Sequence, residues 1–315
     1  MAPEIMNLSR NTFVSNIQNT TALSNITRNI FAMNLITSLF FFFCGKSQNL
    51  TQYYVMKLGF FGCGNMGESF LSGILKKGVC GSSDIIICDK TAERLQVLKE
   101  KYSVVTTTNS KDIEDCDILF LGFKPQNLTD IQFTPKEGMV VISMLVGKNS
   151  TLIAEKFPQT KIARIMPNVG QFVGKGMTGL FFDTAFTESE QSTVRVLLEA
   201  GGTVLELEQE EQIDSMSTIS GSGPAYFFRF AEAMQRAGEK LGFTPEQSEL
   251  LVKQTLIGAG EILQKNPDDS CSVWREKVTS PKGSTEQALR VFNEADIDSL
   301  VQKASEAALK RTEEL

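Results

Sequence analysis

Three short segments carry residue types whose spacing suits chemistry on a small anionic molecule. Gly62-Cys63-Gly64-Asn65-Met66-Gly67 is a G-x-G-x-x-G run. Its glycines allow a tight turn and a close backbone approach, and the helix it would open presents free N–H groups to a pyrophosphate. Ser220-Gly221-Ser222-Gly223-Pro224-Ala225-Tyr226 and Ser280-Pro281-Lys282-Gly283-Ser284-Thr285 are small and rich in hydroxyls. Successive N–H groups at such helix starts suit a carboxylate, and the Thr285 hydroxyl can donate or accept a neighbouring hydrogen bond. Taken singly, each of the latter two reads as a helix cap, because Ser, Thr and Gly dominate caps. The chain has no histidine. A His-based triad, a His zinc site and an imidazole base are therefore excluded.

The glycine run has the context it needs: an apolar run precedes it and a helical pattern follows. Asp89 ends the second apolar run about 20 residues on, where a ribose-binding carboxylate is expected. Asp89 would hydrogen-bond a ribose 2′-hydroxyl and favour NADH, whereas Lys90 and Arg94 clamping a 2′-phosphate would favour NADPH. Both remain open. Lys124 and Pro125 follow the central strand, where a lysine can orient a nicotinamide. Asn168, after Arg164-Ile165-Met166-Pro167, would face the nicotinamide or cap a turn.

The elements that must hold these residues alternate short apolar runs with amphipathic segments, the pattern of a parallel sheet with crossover helices. Strands are expected at Leu58–Gly62, Asp84–Cys88, Ile118–Phe123, Met139–Met144 and Lys161–Met166. Helices are expected at Met66–Lys77, closed by Gly78, and at Thr91–Lys101. After about residue 211 the pattern is helix upon helix. Pro224 lies just inside one helix start, and Thr244-Pro245-Glu246-Gln247 is a capping box opening a helix to about Lys265. The last helix carries Leu300, Ala304 and Ala308 on one face. The expected fold is α/β: a Rossmann-like dinucleotide-binding domain over 56–211, then an all-helical domain over 212–315. Its abundant apolar faces suit dimerisation.

Residues 1–55 read differently. They hold eight Asn and one acidic residue, Glu4. The apolar run Ile30–Cys44 is too short to span a bilayer comfortably, and only Arg10 and Arg28 precede it. We expect a leader that is disordered or not retained, with an organelle transit segment or a membrane tether as alternatives, and a cytoplasmic protein beyond it. The net charge of −6 argues against nucleic acid or an anionic membrane as the main partner. Six cysteines without C-x-x-C spacing suit free thiols, and no metal site is expected.

Taken in order, GFFGCGNMG, FKPQ, RIMPN, DSMSTISGSGPAYFF, QTLIGAGEIL and VTSPKGST resemble the pyrroline-5-carboxylate reductase family over essentially all of residues 56–315. The last motif is specific to that family; the first is not. The resemblance implies hydride transfer from NADPH or NADH, with a tilt to NADPH, to the C=N bond of 1-pyrroline-5-carboxylate, giving L-proline. It implies that Gly62, Gly64, Asn65, Met66 and Gly67 hold the pyrophosphate. Asn109 would contact the adenosine, and Lys124 and Pro125 would line the nicotinamide site. Ser280, Gly283, Ser284 and Thr285 would bind substrate, with Thr285 at the imine nitrogen. It also implies a homodimer of interleaved helical domains, with rings of dimers in reach, so that each site joins one subunit's cofactor domain to its partner's turn. Lys282 departs from the family, which usually has Gly there. A β-hydroxyacid dehydrogenase would need a lysine early in the helix after Gly223, but none occurs before Lys240. A nucleotide sensor without turnover is the third reading.

Overall fold

A computed structural model of the chain describes residues 56–183 and 186–314. The leader and its apolar run Ile30–Cys44 lie outside the described residues. The apolar runs form one sheet of eight strands: β1 (Leu58–Phe61), β2 (Ile85–Cys88), β3 (Val105–Thr107), β4 (Ile118–Leu121), β5 (Val140–Ser143), β6 (Lys161–Met166), β7 (Gly176–Phe182) and β8 (Gly202–Glu206). Their order is β3-β2-β1-β4-β5-β6-β7-β8. All pairs from β3 through β6 are parallel; β7 runs antiparallel to β6, and β8 parallel to β7.

Helices cover both faces, which is why β4 and β5 are buried at every position. On one face Phe60, Ile87, Phe120 and Ile142 pack with Phe70 and Ile74 of α1 (Asn65–Lys77) and with Leu197 of α4 (Glu188–Glu199). Phe60 and Phe120 stack at 4.9 Å with their rings 8° from parallel. On the other face Leu119, Leu121, Val141 and Ile162 meet Ile153 and Phe157 at α3 (Ser150–Lys156). Between β2 and β3 runs α2 (Ala92–Tyr102). The turn at Gly78 ends α1 in the left-handed region, as its sequence predicts.

The β7–α4–β8 extension carries no clear sequence signal. Gly176 and Gly179 interrupt β7, and glycine weakens the alternation by which a strand is recognised. Once formed, β7 gives the otherwise parallel sheet an antiparallel partner for β6.

Beyond β8 come α5 (Glu211–Met216), a π-turn at 217–221, α6 (Gly223–Lys240), α7 (Pro245–Lys265), α8 (Cys271–Lys277), α9 (Ser284–Glu294) and α10 (Ile297–Glu313). The capping box forms: Gln247 N–H donates to Thr244 Oγ1 at 3.2 Å and Thr244 N–H to Gln247 Oε1 at 2.9 Å. In the single chain these helices leave Phe227, Phe228, Leu241, Leu250, Ile257 and Leu300 between 58 and 80 % exposed. That is far more apolar surface than a lone folded chain ordinarily shows to water. Among the described residues no helix is long and apolar enough to cross a membrane.

Candidate active site

The strand order reverses at β1, whose neighbours β2 and β4 lead to opposite halves of the sheet. Such a switch point leaves a crevice outside the carboxyl ends of the strands. A cleft of about 840 Å³ lies there, lined by Gly62, Gly64, Asp89, Lys90, Phe123 and Lys124 among others. Its floor is backbone. Gly62 N–H donates to Cys88 O at 2.7 Å and Gly122 N–H to Phe61 O at 2.9 Å, stitching together the loops after β1, β2 and β4. Gly62 has φ +79°, and a Cβ there would lie 2.8 Å from Phe123 N. Only glycine permits this approach. Gly64 caps α1 without a side chain, so the first N–H groups of the helix, at Asn65 and Met66, have no side-chain cap. Gly67 is buried, with room for a Cβ only against Cys63 Sγ at 3.4 Å. This glycine-floored cradle at a helix start fits a dinucleotide pyrophosphate.

At the β2 side of the cleft, Asp89 ends the strand with its carboxylate pinned. Oδ2 accepts from Cys63 N–H at 3.2 Å and Oδ1 from Thr91 N–H at 3.0 Å. Lys90 is exposed beside it. Arg94 is committed elsewhere: Nε donates to Cys63 O at 3.0 Å and a terminal nitrogen to Glu68 Oε2 at 2.5 Å. Glu68 carries no signal in the sequence motif, yet it also accepts from Lys101 and Tyr102, each at 2.8 Å. Burial alone would raise its carboxyl, but these hydrogen bonds and the Arg94 charge bring it down to about 2. Asn109 does not point its amide at the cleft. The side chain caps the turn at 110–113, accepting from Lys111 N–H at 3.2 Å and donating to Asp112 at 3.3 Å. Its neighbours Thr108 and Ser110 line the cleft instead.

At the β4 side, Lys124 is exposed at the cleft wall and Pro125 opens the 3-10 turn 125–130. Asn168 takes the second of its two expected places and caps the turn after β6. Its Nδ2 donates to Ser220 O at 3.1 Å and Ser220 Oγ at 3.3 Å, while Oδ1 accepts from Gly170 and Met177 N–H, each at 3.1 Å. An amide has two donors and one acceptor oxygen, and all are spent. Asn168 thus ties the end of β6 to the π-turn before α6. A second tie comes from Arg164, whose side chain is 3 % exposed and ion-paired to Glu210 at 2.9 Å and Asp214 at 3.3 Å. An arginine at an inward strand position demands such partners. That demand was the available signal, but the sequence does not say which carboxylates answer it. Cys63 is buried at the fingerprint, and desolvation pushes its thiol up to about 12, so it stays protonated.

The second polar segment is a turn followed by α9. Gly283 N–H donates to Ser280 O at 2.9 Å, closing a β-turn with Pro281 and Lys282 at its centre. Lys282 has φ +62°. A positive φ after proline is a type II turn, whose third position favours glycine. The family's usual Gly is thereby explained, and Lys282 adopts the same conformation at a cost. Its N–H donates to Glu286 Oε2 at 2.8 Å. Gly283 caps α9 with no side-chain hydrogen bond, leaving the helix start at Ser284 and Thr285 uncapped and both residues exposed. No residue of 280–285 lines the cleft within the single chain. The fold therefore gathers Gly62, Gly64, Asp89, Lys90 and Lys124, and leaves Ser280, Gly283, Ser284 and Thr285 as a separate exposed cluster.

Comparison with known proteins covers both clusters. Residues 210–315 match the family described as pyrroline-5-carboxylate reductase dimerisation, and residues 57–147 match NADP oxidoreductase, coenzyme F420-dependent. The chain is 36 % identical to pyrroline-5-carboxylate reductase of Vibrio alginolyticus, over 82 % of this chain and 97 % of that one. Among solved structures, a pyrroline-5-carboxylate reductase from Coxiella burnetii superposes with TM-score 0.77 at 33 % identity, covering 82 % of this chain and 98 % of that chain. The Plasmodium falciparum enzyme with NADP bound superposes with TM-score 0.68 at 25 % identity, covering 82 % and 97 %. On these grounds the chain belongs to the pyrroline-5-carboxylate reductase family.

Proposed function

We propose that the protein reduces 1-pyrroline-5-carboxylate to L-proline, with the cleft at the end of β1 holding NAD(P)H and the start of α9 holding the substrate. As a family member the chain is an NAD(P)H-dependent oxidoreductase acting on a small molecule, and it works as an oligomer. The observation that carries the reading is the uncapped start of α9 behind a type II turn. The cleft alone would suit many oxidoreductases, among them a β-hydroxyacid dehydrogenase, but the turn suits a carboxylate beside an imine.

The bound reduced nicotinamide supplies a hydride to the imine carbon. Gly62, Gly64, Asn65, Met66 and Gly67 hold the pyrophosphate through the glycine floor and the α1 helix start. Asp89 and Lys90 flank the adenosine ribose, with Asn109 shaping that wall through the turn it caps. Lys124 and Pro125 border the nicotinamide, and Asn168 acts on the site through Ser220, as a positioning residue. Ser280, Gly283 and Ser284 hold the substrate carboxylate, favoured by the positive end of the α9 dipole. Thr285 hydrogen-bonds the imine nitrogen, which already carries its proton when the hydride reaches the carbon, so that the C=N π electrons become the nitrogen lone pair. A protonated imine is already electrophilic, so orientation is most of what the protein must supply. That suits a chain without histidine.

Because the two clusters do not meet in one chain, the site is completed by a second copy: a homodimer, with rings of dimers possible, whose helical domains (212–315) interleave so that the turn of one faces the cleft in 56–211 of the other. The exposed apolar helix faces support this. We further place the protein in the cytoplasm, without nucleic-acid or membrane partners. Mass spectrometry of the mature amino terminus checks this: a cut within 1–55 at a transit site would move it to an organelle.

The test of function mixes purified residues 56–315 with pyrroline-5-carboxylate and NADH or NADPH and follows the loss of reduced-nicotinamide absorbance. Oxidation with either cofactor is expected. None with both would contradict the reading, and turnover of a 2-ketoacid or semialdehyde instead would favour the dehydrogenase.

A further inference from the structure

We infer that Glu68 is a positioning residue that sets cofactor preference, holding Arg94 away from the ribose so that Asp89 selects the 2′-hydroxyl of NADH over the 2′-phosphate of NADPH. The inference rests on the reductase reading and deepens it. It runs against the tilt to NADPH that resemblance alone suggests.

Asp89 is fixed in place. Its carboxylate sits at the end of β2, lines the cleft, and is held from two sides by Cys63 and Thr91 N–H. Swinging it outward would break two charge-assisted hydrogen bonds and leave two backbone donors without their acceptor. Each oxygen keeps acceptor capacity for a ribose hydroxyl. A 2′-phosphate would instead bring about −1.5 to −2 charges against a fixed negative charge.

Two cations near in sequence could offset that repulsion, Lys90 and Arg94. Arg94 is the better phosphate ligand by chemistry, because its planar fork binds oxyanions bidentately. Its Nε and one terminal nitrogen are already engaged, by Cys63 O on the fingerprint loop and by Glu68 on α1. Glu68 is a strong anchor: its side chain is 17 % exposed, and Lys101 and Tyr102 reinforce its charge from the opposite side. Removing Arg94 from it would break a 2.5 Å ion pair and leave the carboxylate to Lys101 and Tyr102 alone. Lys90 alone is left, an exposed ammonium on a flexible stem. One mobile lysine facing a pinned aspartate favours the hydroxyl.

Equilibrium binding of NADH and of NADPH to the full chain, without imine, tests this. NADH should bind at least about tenfold tighter, the worth of one charge-assisted hydrogen bond gained or lost. In Glu68→Gln and in Glu68→Ala, Arg94 is released and the NADH-to-NADPH affinity ratio should fall by about tenfold. Adding Arg94→Gln to either should restore the ratio, which a merely structural role for Glu68 would not do. Equal or tighter NADPH binding by the unchanged protein overturns the inference. So does an unmoved ratio in both Glu68 variants, even if their melting temperatures fall. Binding of neither dinucleotide would overturn the reductase reading itself.

Discussion

The sheet domain and the helical domain bury their apolar residues to opposite extents. Leu58, Phe60, Phe120, Ile142 and Leu197 are wholly shielded within one chain, whereas Leu241, Leu250 and Leu300 stand 66 to 80 % exposed. Both regions have amphipathic or apolar elements, so composition does not separate them. What differs is the partner: helices meet a sheet inside the first region, while among the described residues the second leaves helix faces exposed. The cofactor half can thus be complete in a monomer, whereas the proposed substrate half would depend on another subunit.

The largest effects should test that contrast. Phe120→Ala removes a ring stacked on Phe60 inside the sheet layer and should cost about 3–5 kcal/mol. Denaturant unfolding should show the same loss at every protein concentration. Leu250→Glu puts a charge on an exposed helix face and should act only through assembly. Sedimentation should show single chains where the unchanged protein is oligomeric, with imine reduction lost alongside. A Leu250→Glu protein that stays oligomeric would break the contrast.

An intermediate effect belongs to Glu68. Its folded value of about 2 lies below the ordinary 4.5. Protonation therefore favours the unfolded chain, and the stability it contributes is full above about pH 4.5 and lost as pH falls towards 2. Urea midpoints across that window should fall more steeply for the unchanged protein than for Glu68→Gln; parallel curves would refute the assignment. The smallest effect is at the substrate turn. Lys282→Gly relieves a side chain held at φ +62° and should stabilise by up to about 1 kcal/mol, read as a small rise in melting temperature. A fall would mean that Lys282 makes a contact worth more than its strain.

Much of the sheet domain was legible in the sequence, because fully buried strands such as Ile118–Leu121 leave unbroken apolar runs and the fingerprint punctuates β1. β7 was not legible, since Gly176 and Gly179 dilute its pattern, and neither was its antiparallel direction, which pairing decides. At the candidate site, residues whose backbone matters, such as Gly62, Gly64 and Gly283, could be read from residue type alone. Side chains that bond within the fold could not. Asn168 and Asn109 have amides able to bind a ligand, yet Ser220, Gly170 and Met177 claim the first, and Lys111 and Asp112 the second. The Glu68–Arg94 pair spans 26 positions and leaves no local trace. The type II turn around Lys282 shows the converse: a residue that looked like a defect in the motif takes the conformation the motif requires.

The central claim is that cofactor and substrate are held by separate clusters, the cleft at β1 and the start of α9. Thr285→Ala tests it most directly, with kcat/KM for the imine and the dissociation constant of the dinucleotide measured on the same preparation. The expected outcome is that kcat/KM falls by about tenfold or more, the worth of a hydrogen bond to a charged group, while dinucleotide affinity stays where it was. Normal imine reduction, or a matching loss of dinucleotide affinity, would contradict it.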